Sequence, residues 1–328
     1  MSPGGEAVVG LLVAVGAVVV LPLGLRLLGD RVVPAPRGVV WPLAGAAAVA
    51  SLLLPRGALA VVLAVPFALA SGILLLAGGR LAARTLVDLA RPAADPGSAP
   101  GARAPLAAAA ATVTALVLPA VGASALVAER GGHGLLGFSG TYLALTVPHM
   151  LYAGFGAALV AGTVAHLAGT DRLAVAGAWG VPAGTALVLV GYFVGDVAEL
   201  GGAVVLTLAL WATAIAVARA PLHRGDHPAA ARALLGTAAV VVSLSMLLAL
   251  WWAGGEALGF AHPNLDVMAA THGVANALGF VLCALLGLRL LVRAAPEPGP
   301  VVTRGPDGTS PATNPVTSPR PGAERSAA

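Results

Sequence analysis

Two histidines stand inside stretches that are otherwise apolar, and the polar residues around them repeat at helical spacing. Tyr142, Thr146, His149 and Tyr152 follow at intervals of four, three and three, which puts all four on one helical face. His272 and Asn276, four apart, share a face of a later stretch. An imidazole takes up or gives away a proton near neutral pH and binds metals through its neutral nitrogen. His149, Tyr152, His272 and Asn276 are therefore candidates for a proton or ligand site. His149 and His272 are also candidate metal ligands, with Asp196, Glu199 and Glu256 as possible additional ligands. Cys283 is the only cysteine, so a thiolate cage or an intramolecular disulfide has no residues to form it. A divalent metal, if bound, would rest on imidazole and carboxylate. The competing reading of both histidines is a hydrogen bond between neighbouring helices.

The elements that must position these groups are membrane helices. Hydrophobic residues make up 58% of the 328 and charged residues 10%, whereas a soluble domain carries about 25% charged residues. Nine apolar runs reach or approach the roughly 20 residues that cross a bilayer: 7–28, 39–54, 57–77, 106–128, 140–167, 173–195, 197–217, 230–253 and 267–291. The second is the shortest, ending at Pro55 and Arg56, and fits either a short span or a re-entrant hairpin with the third. An all-α, polytopic transmembrane bundle is the expected fold class.

The arginines orient that bundle. All eighteen basic residues are arginine, and in the nine-span reading only Arg56 and Arg130 fall on the side opposite the rest. Because basic residues collect in cytoplasmic loops, the sequence predicts an N-terminus outside and a C-terminus in the cytoplasm. The first run follows Glu6 and precedes Arg26, which is the reverse of a secretory leader. A bacterial cytoplasmic membrane is the expected location. Scattered arginines without a basic stripe argue against nucleic acid as a partner, leaving the lipid bilayer as the partner the sequence specifies.

Four regions follow from this reading: three N-terminal helices in 1–78, a cytoplasmic amphipathic segment and flexible joint in 79–104, a six-helix bundle in 105–293, and a disordered cytoplasmic tail in 294–328. Arg80, Arg84, Asp88 and Arg91 recur at offsets of four, eight and eleven, as on a surface helix or a prolongation of the third span. Gly132, Gly134 and Gly137 spell a dinucleotide-type glycine pattern, but no strand precedes it, and no nucleotide or haem is expected. Gly180 and Gly184 around Pro182 suggest a close helix contact, and Trp251 and Trp252 an anchor at the membrane interface.

Three stretches go beyond generic membrane sequence: VVVLPLGLRLL from Val18 to Leu28, PHMLYAGFGAALVAG from Pro148 to Gly162, and THGVANALGF from Thr271 to Phe280. Together they resemble the YndJ-like bacterial integral membrane proteins. The resemblance implies a histidine ahead of an aromatic-Ala-Gly-Phe segment, here His149 with Tyr152, Ala153, Gly154 and Phe155. It also implies an HG..NALGF segment in the last span, here His272, Gly273, Asn276, Gly279 and Phe280. Architecture and two polar positions come with it, and neither a substrate nor a reaction. The leading functional expectation is a polar His/Tyr/Asn pocket in the outer half of the bundle that binds or passes a proton, metal ion or small ligand. The alternatives are a membrane-embedded metal-dependent hydrolase acting on lipid, and a structural or regulatory membrane subunit; the sequence leaves open whether the protein is an enzyme.

Overall fold

A computed structural model describes residues 1–30, 32–90, 103–219 and 227–294. Nine helices are found among these residues: α1 Pro3–Leu28, α2 Val40–Leu52, α3 Ala58–Ala90, α4 Leu106–Arg130, α5 Thr141–Ala168, α6 Arg172–Val194, α7 Asp196–Arg219, α8 Ala229–Leu258 and α9 Leu265–Ala294. Eight are long and apolar enough to cross a membrane, and α2 is not. Successive helices run in opposite directions, so α1, α5 and α9 start at one end, called the top here, and finish at the bottom.

Capping residues fix where several helices begin. The hydroxyl of Ser2 accepts from the Gly5 amide ahead of Pro3, Asp171 accepts from the amides of Leu173 and Ala174, and Asn264 accepts from that of Val267. Each satisfies amides that a helix start leaves without a partner. The amide of Ser2 in turn donates to the Asp266 carboxylate at 3.0 Å, tying the top of α1 to the top of α9.

The second apolar run is the short one, as its early stop at Pro55 and Arg56 suggests. It forms a helix of 13 residues, about 20 Å long, against a hydrocarbon layer of about 30 Å. Gly45 of α2 packs on the backbone of Ala17 in α1, so a side chain there would collide with the Ala17 carbonyl. From that contact, α2 begins about 9 Å short of the lower end of α1. Residues 32–39 close the gap with the Trp41 indole donating to the Ala35 carbonyl at 2.9 Å. The third run, by contrast, continues unbroken to Ala90 and carries Arg80, Arg84 and Asp88 on its lower end as a prolongation of the helix.

Residues Met1–Ala294 form one compact unit, so the helices before and after the 79–104 segment share a core. Most of the segment expected to be a flexible joint, and the tail beyond 294, lie outside the described residues. Small residues bring the helices together. Gly184 of α6 sits against the backbone of Leu206 in α7, and Gly180 against Ala209, as the GxxxG spacing suggests. At the turn between these helices Gly195 adopts φ +133°, which an L-residue rarely takes, and so allows the chain to reverse within one residue.

Candidate functional site

The candidate residues lie on α5 and α9, and α1 packs between them near the top. Gly16 of α1 abuts Leu151 and Tyr152, Gly24 abuts Phe155 and Leu159, and Gly273 of α9 meets Leu12. Lower down, α5 and α9 touch directly where Gly156 faces Val281. All three helices depart from α geometry in their middle: π-helical turns span Gly16–Val20 in α1, Met150–Gly156 in α5, and Ala269–Gly273 and Ala275–Leu282 in α9. Such turns are rare, and they gather at functional sites. They coincide with the three stretches that carry the family resemblance.

Proline stands next to the π turns of two of these helices. Pro148 has no amide hydrogen to give the α ladder, and the π turn of α5 begins two residues later; Pro22 follows the π turn of α1. The π turns of α9 contain no proline. There Gly273 and Gly279 allow the backbone to shift toward Leu12 and Val241.

His149 and His272 lie at similar depth, each about 10 to 12 Å below the start of its helix. The Nδ1–H of His149 donates to the Leu145 carbonyl at 2.9 Å, and that of His272 donates to the Ser245 carbonyl of α8 at 2.8 Å. A carbonyl only accepts, so each ring is fixed in the tautomer whose Nε2 carries a lone pair. The two imidazoles are within electrostatic range of each other. His149 is exposed and His272 half-buried.

Asn276 accepts the hydroxyl hydrogen of Ser245 at 2.7 Å, and its amide nitrogen lies 3.1 Å from Nε2 and 3.3 Å from Nδ1 of His272. Near-equal distances to both ring nitrogens place that amide off the axis of the Nε2 lone pair. Nε2 of His149 has no hydrogen-bond partner among the described residues, and Nε2 of His272 has only this off-axis amide.

Tyr152 is not brought to His149. Its hydroxyl donates to the Leu12 carbonyl at 2.8 Å, making it a buried tie between α5 and α1. The carboxylates sit higher. Glu199 lies within electrostatic range of Asp196 and Glu256, and Glu256 pairs with His262 at 3.2 Å beside the edge of Trp252. No group of three His, Cys, Asp or Glu able to hold a metal is found among the described residues. Ser245 and the carbonyls of Leu145 and Leu12 were not candidates in the sequence. Only Ser245 gave a signal, as a polar residue inside an apolar run.

A bundle with eight helices long and apolar enough to cross a bilayer among the described residues defines a multi-pass integral membrane protein. The chain belongs to the YndJ-like protein family, which matches residues 11–280 and so takes in the π-helical turns of α1 and α5 and most of those of α9. No curated protein and no solved structure matches it.

Proposed function

We propose that this membrane protein binds a proton at the His149 and His272 pair, reached from the top of the bundle. The observation that carries the proposal is the matched anchoring of the two rings. Each Nδ1–H is spent on a backbone carbonyl, which leaves Nε2 of His149 without a hydrogen-bond partner among the described residues and Nε2 of His272 with only the off-axis Asn276 amide. Two neutral imidazoles within electrostatic range favour taking up one positive charge over two, because the second would be repelled by the first. The same anchoring occurs behind metal-bound histidines, but two nitrogens leave a tetrahedral ion half-coordinated.

The arginine distribution supports a top that faces outward, with the lower ends of the helices in the cytoplasm of a bacterial cell. A proton would then enter from the exterior leaflet.

The test is a pH titration of the protein in nanodiscs, with both histidines followed by nitrogen NMR. The pair is expected to take up one proton with coupled behaviour, and His149→Gln to change the titration of His272. Two independent titrations, each indifferent to replacement of the other ring, would overturn the proposal. Zn²⁺ added as a separate arm tests the metal: binding lost in both His149→Gln and His272→Gln would replace the proton with a metal.

A further inference from the structure

Far from the histidines, at the bottom of the bundle, the end of α1 that carries Arg26 packs against the end of α9 that carries Arg289 and Arg293. Arg289 lies within electrostatic range of Arg26, Arg37 and Arg293. Arg37 pairs with Asp30 at 3.3 Å, while Arg26, Arg289 and Arg293 have no acidic partner among the described residues. Asp30 is thus the one carboxylate paired within a group of four cations, and like charges brought together raise their mutual energy unless an anion joins them. Arginine presents a planar fork of donors that fits phosphate oxygens two at a time.

One turn nearer the middle of α9 an aliphatic side chain is exposed. Leu286, Arg289 and Arg293 follow at intervals of three and four and so share one face of α9. Leu286 is exposed one turn deeper than Arg289. Cations at the helix end, one turn from an exposed aliphatic side chain, match an amphiphile with its phosphate at the arginines and its acyl chain against Leu286.

We infer that Arg26, Arg37, Arg289 and Arg293 form a binding site for the phosphodiester headgroup of an anionic phospholipid in the leaflet at the bottom of the bundle. Arg289, half-buried between the ends of α1 and α9, is its centre, and occupancy would hold those two helix ends together.

Native mass spectrometry of the full chain, released from phosphatidylcholine nanodiscs doped with phosphatidylglycerol, tests the site. Retention of phosphatidylglycerol is expected to fall about 30-fold in the Arg26→Gln, Arg289→Gln double variant, about fivefold for each arginine removed. The Arg80→Gln, Arg84→Gln variant removes the same charge from the lower end of α3 and is expected to retain lipid as the wild type does. Equal losses in the two variants, or none in either, would overturn the inference. Should the first variant fail to fold, Arg26→Lys with Arg289→Lys keeps the charge and removes the fork. It is expected to lose part of the retention, and unchanged retention would count against the site. Inorganic phosphate that binds in pure phosphatidylcholine nanodiscs and displaces phosphatidylglycerol would show that free phosphate, and not a lipid, is the occupant.

Discussion

Arg56 donates through Nε to the Glu129 carboxylate at 2.8 Å, joining the corner between α2 and α3 to the top of α4. Arg130 holds the same carboxylate with Nε and Nη2, and its Nη1 reaches the carbonyls of Ser51 and Leu54. The two arginines that break the charge asymmetry of the chain are therefore both bound to one acid. One carboxylate thus offsets part of the charge of both, and ties three helix ends together at the top.

The two arginines differ in how much they depend on Glu129. The side chain of Glu129 is 3% exposed and that of Arg130 11%, whereas that of Arg56 is 55% exposed. Removing the acid strands a buried cation, at a cost of about 3 to 5 kcal/mol. Removing Arg56 loses an exposed partner, worth about 1 kcal/mol or less. Thermal unfolding in detergent should show a large fall in Tm for Glu129→Gln and a small one for Arg56→Gln. Equal shifts would mean that the triad does not hold the corner.

A second expectation concerns the short helix. A methyl group at Gly45 would lie 2.4 Å from the Ala17 carbonyl oxygen, and backbone cannot yield as a flexible side chain does. At Gly72 in α3 nothing lies within 4 Å. Gly45→Ala should cost about 1 to 3 kcal/mol through overpacking, while Gly72→Ala should be neutral or slightly stabilising because it favours the helix. The pair can be compared by the fraction of folded protein surviving a heating series. A neutral Gly45→Ala would place α2 elsewhere than against α1.

Much of this fold was legible because membrane helices declare themselves by length and by arginine placement. The short α2 was visible in the early stop at Pro55 and Arg56, and the contact at Gly180 and Gly184 in their spacing. His272 and Asn276 share a face as their interval of four requires. The role of Tyr152 was not legible, because its partner is a backbone carbonyl 140 residues away and every residue has one. The π turns were hidden for a related reason. Pro66, Pro119 and Pro182 interrupt α3, α4 and α6 without producing one, and α9 produces two without a proline. Whether a helix takes in an extra residue is decided by the helix packed beside it.

Tyr152 separates stability from site chemistry. Tyr152→Phe removes the hydrogen bond to Leu12 and keeps the ring, at a cost of about 0.6 kcal/mol by the average for such bonds between membrane helices. A modest loss of thermal stability with unchanged proton uptake is the expected result. An uptake curve altered as strongly as in His149→Gln would return Tyr152 to the site as a direct partner.

The tautomers supply the most direct check on the geometry. Free histidine favours no such anchoring, but here both Nδ1 atoms must carry the hydrogen because the groups facing them are carbonyls. Nitrogen NMR at a pH where both rings are neutral should find Nδ1 protonated and Nε2 bare in each. Ser245→Ala removes the hydroxyl that holds Asn276 but leaves the Ser245 carbonyl in place, so the tautomer of His272 should survive it. Asn276→Leu should also preserve the tautomer, since the amide lies off the Nε2 axis. A switch to Nε2–H in Asn276→Leu would show that the amide, and not the carbonyl of α8, orients the ring. The open acceptor on which proton binding depends would then belong to His149 alone.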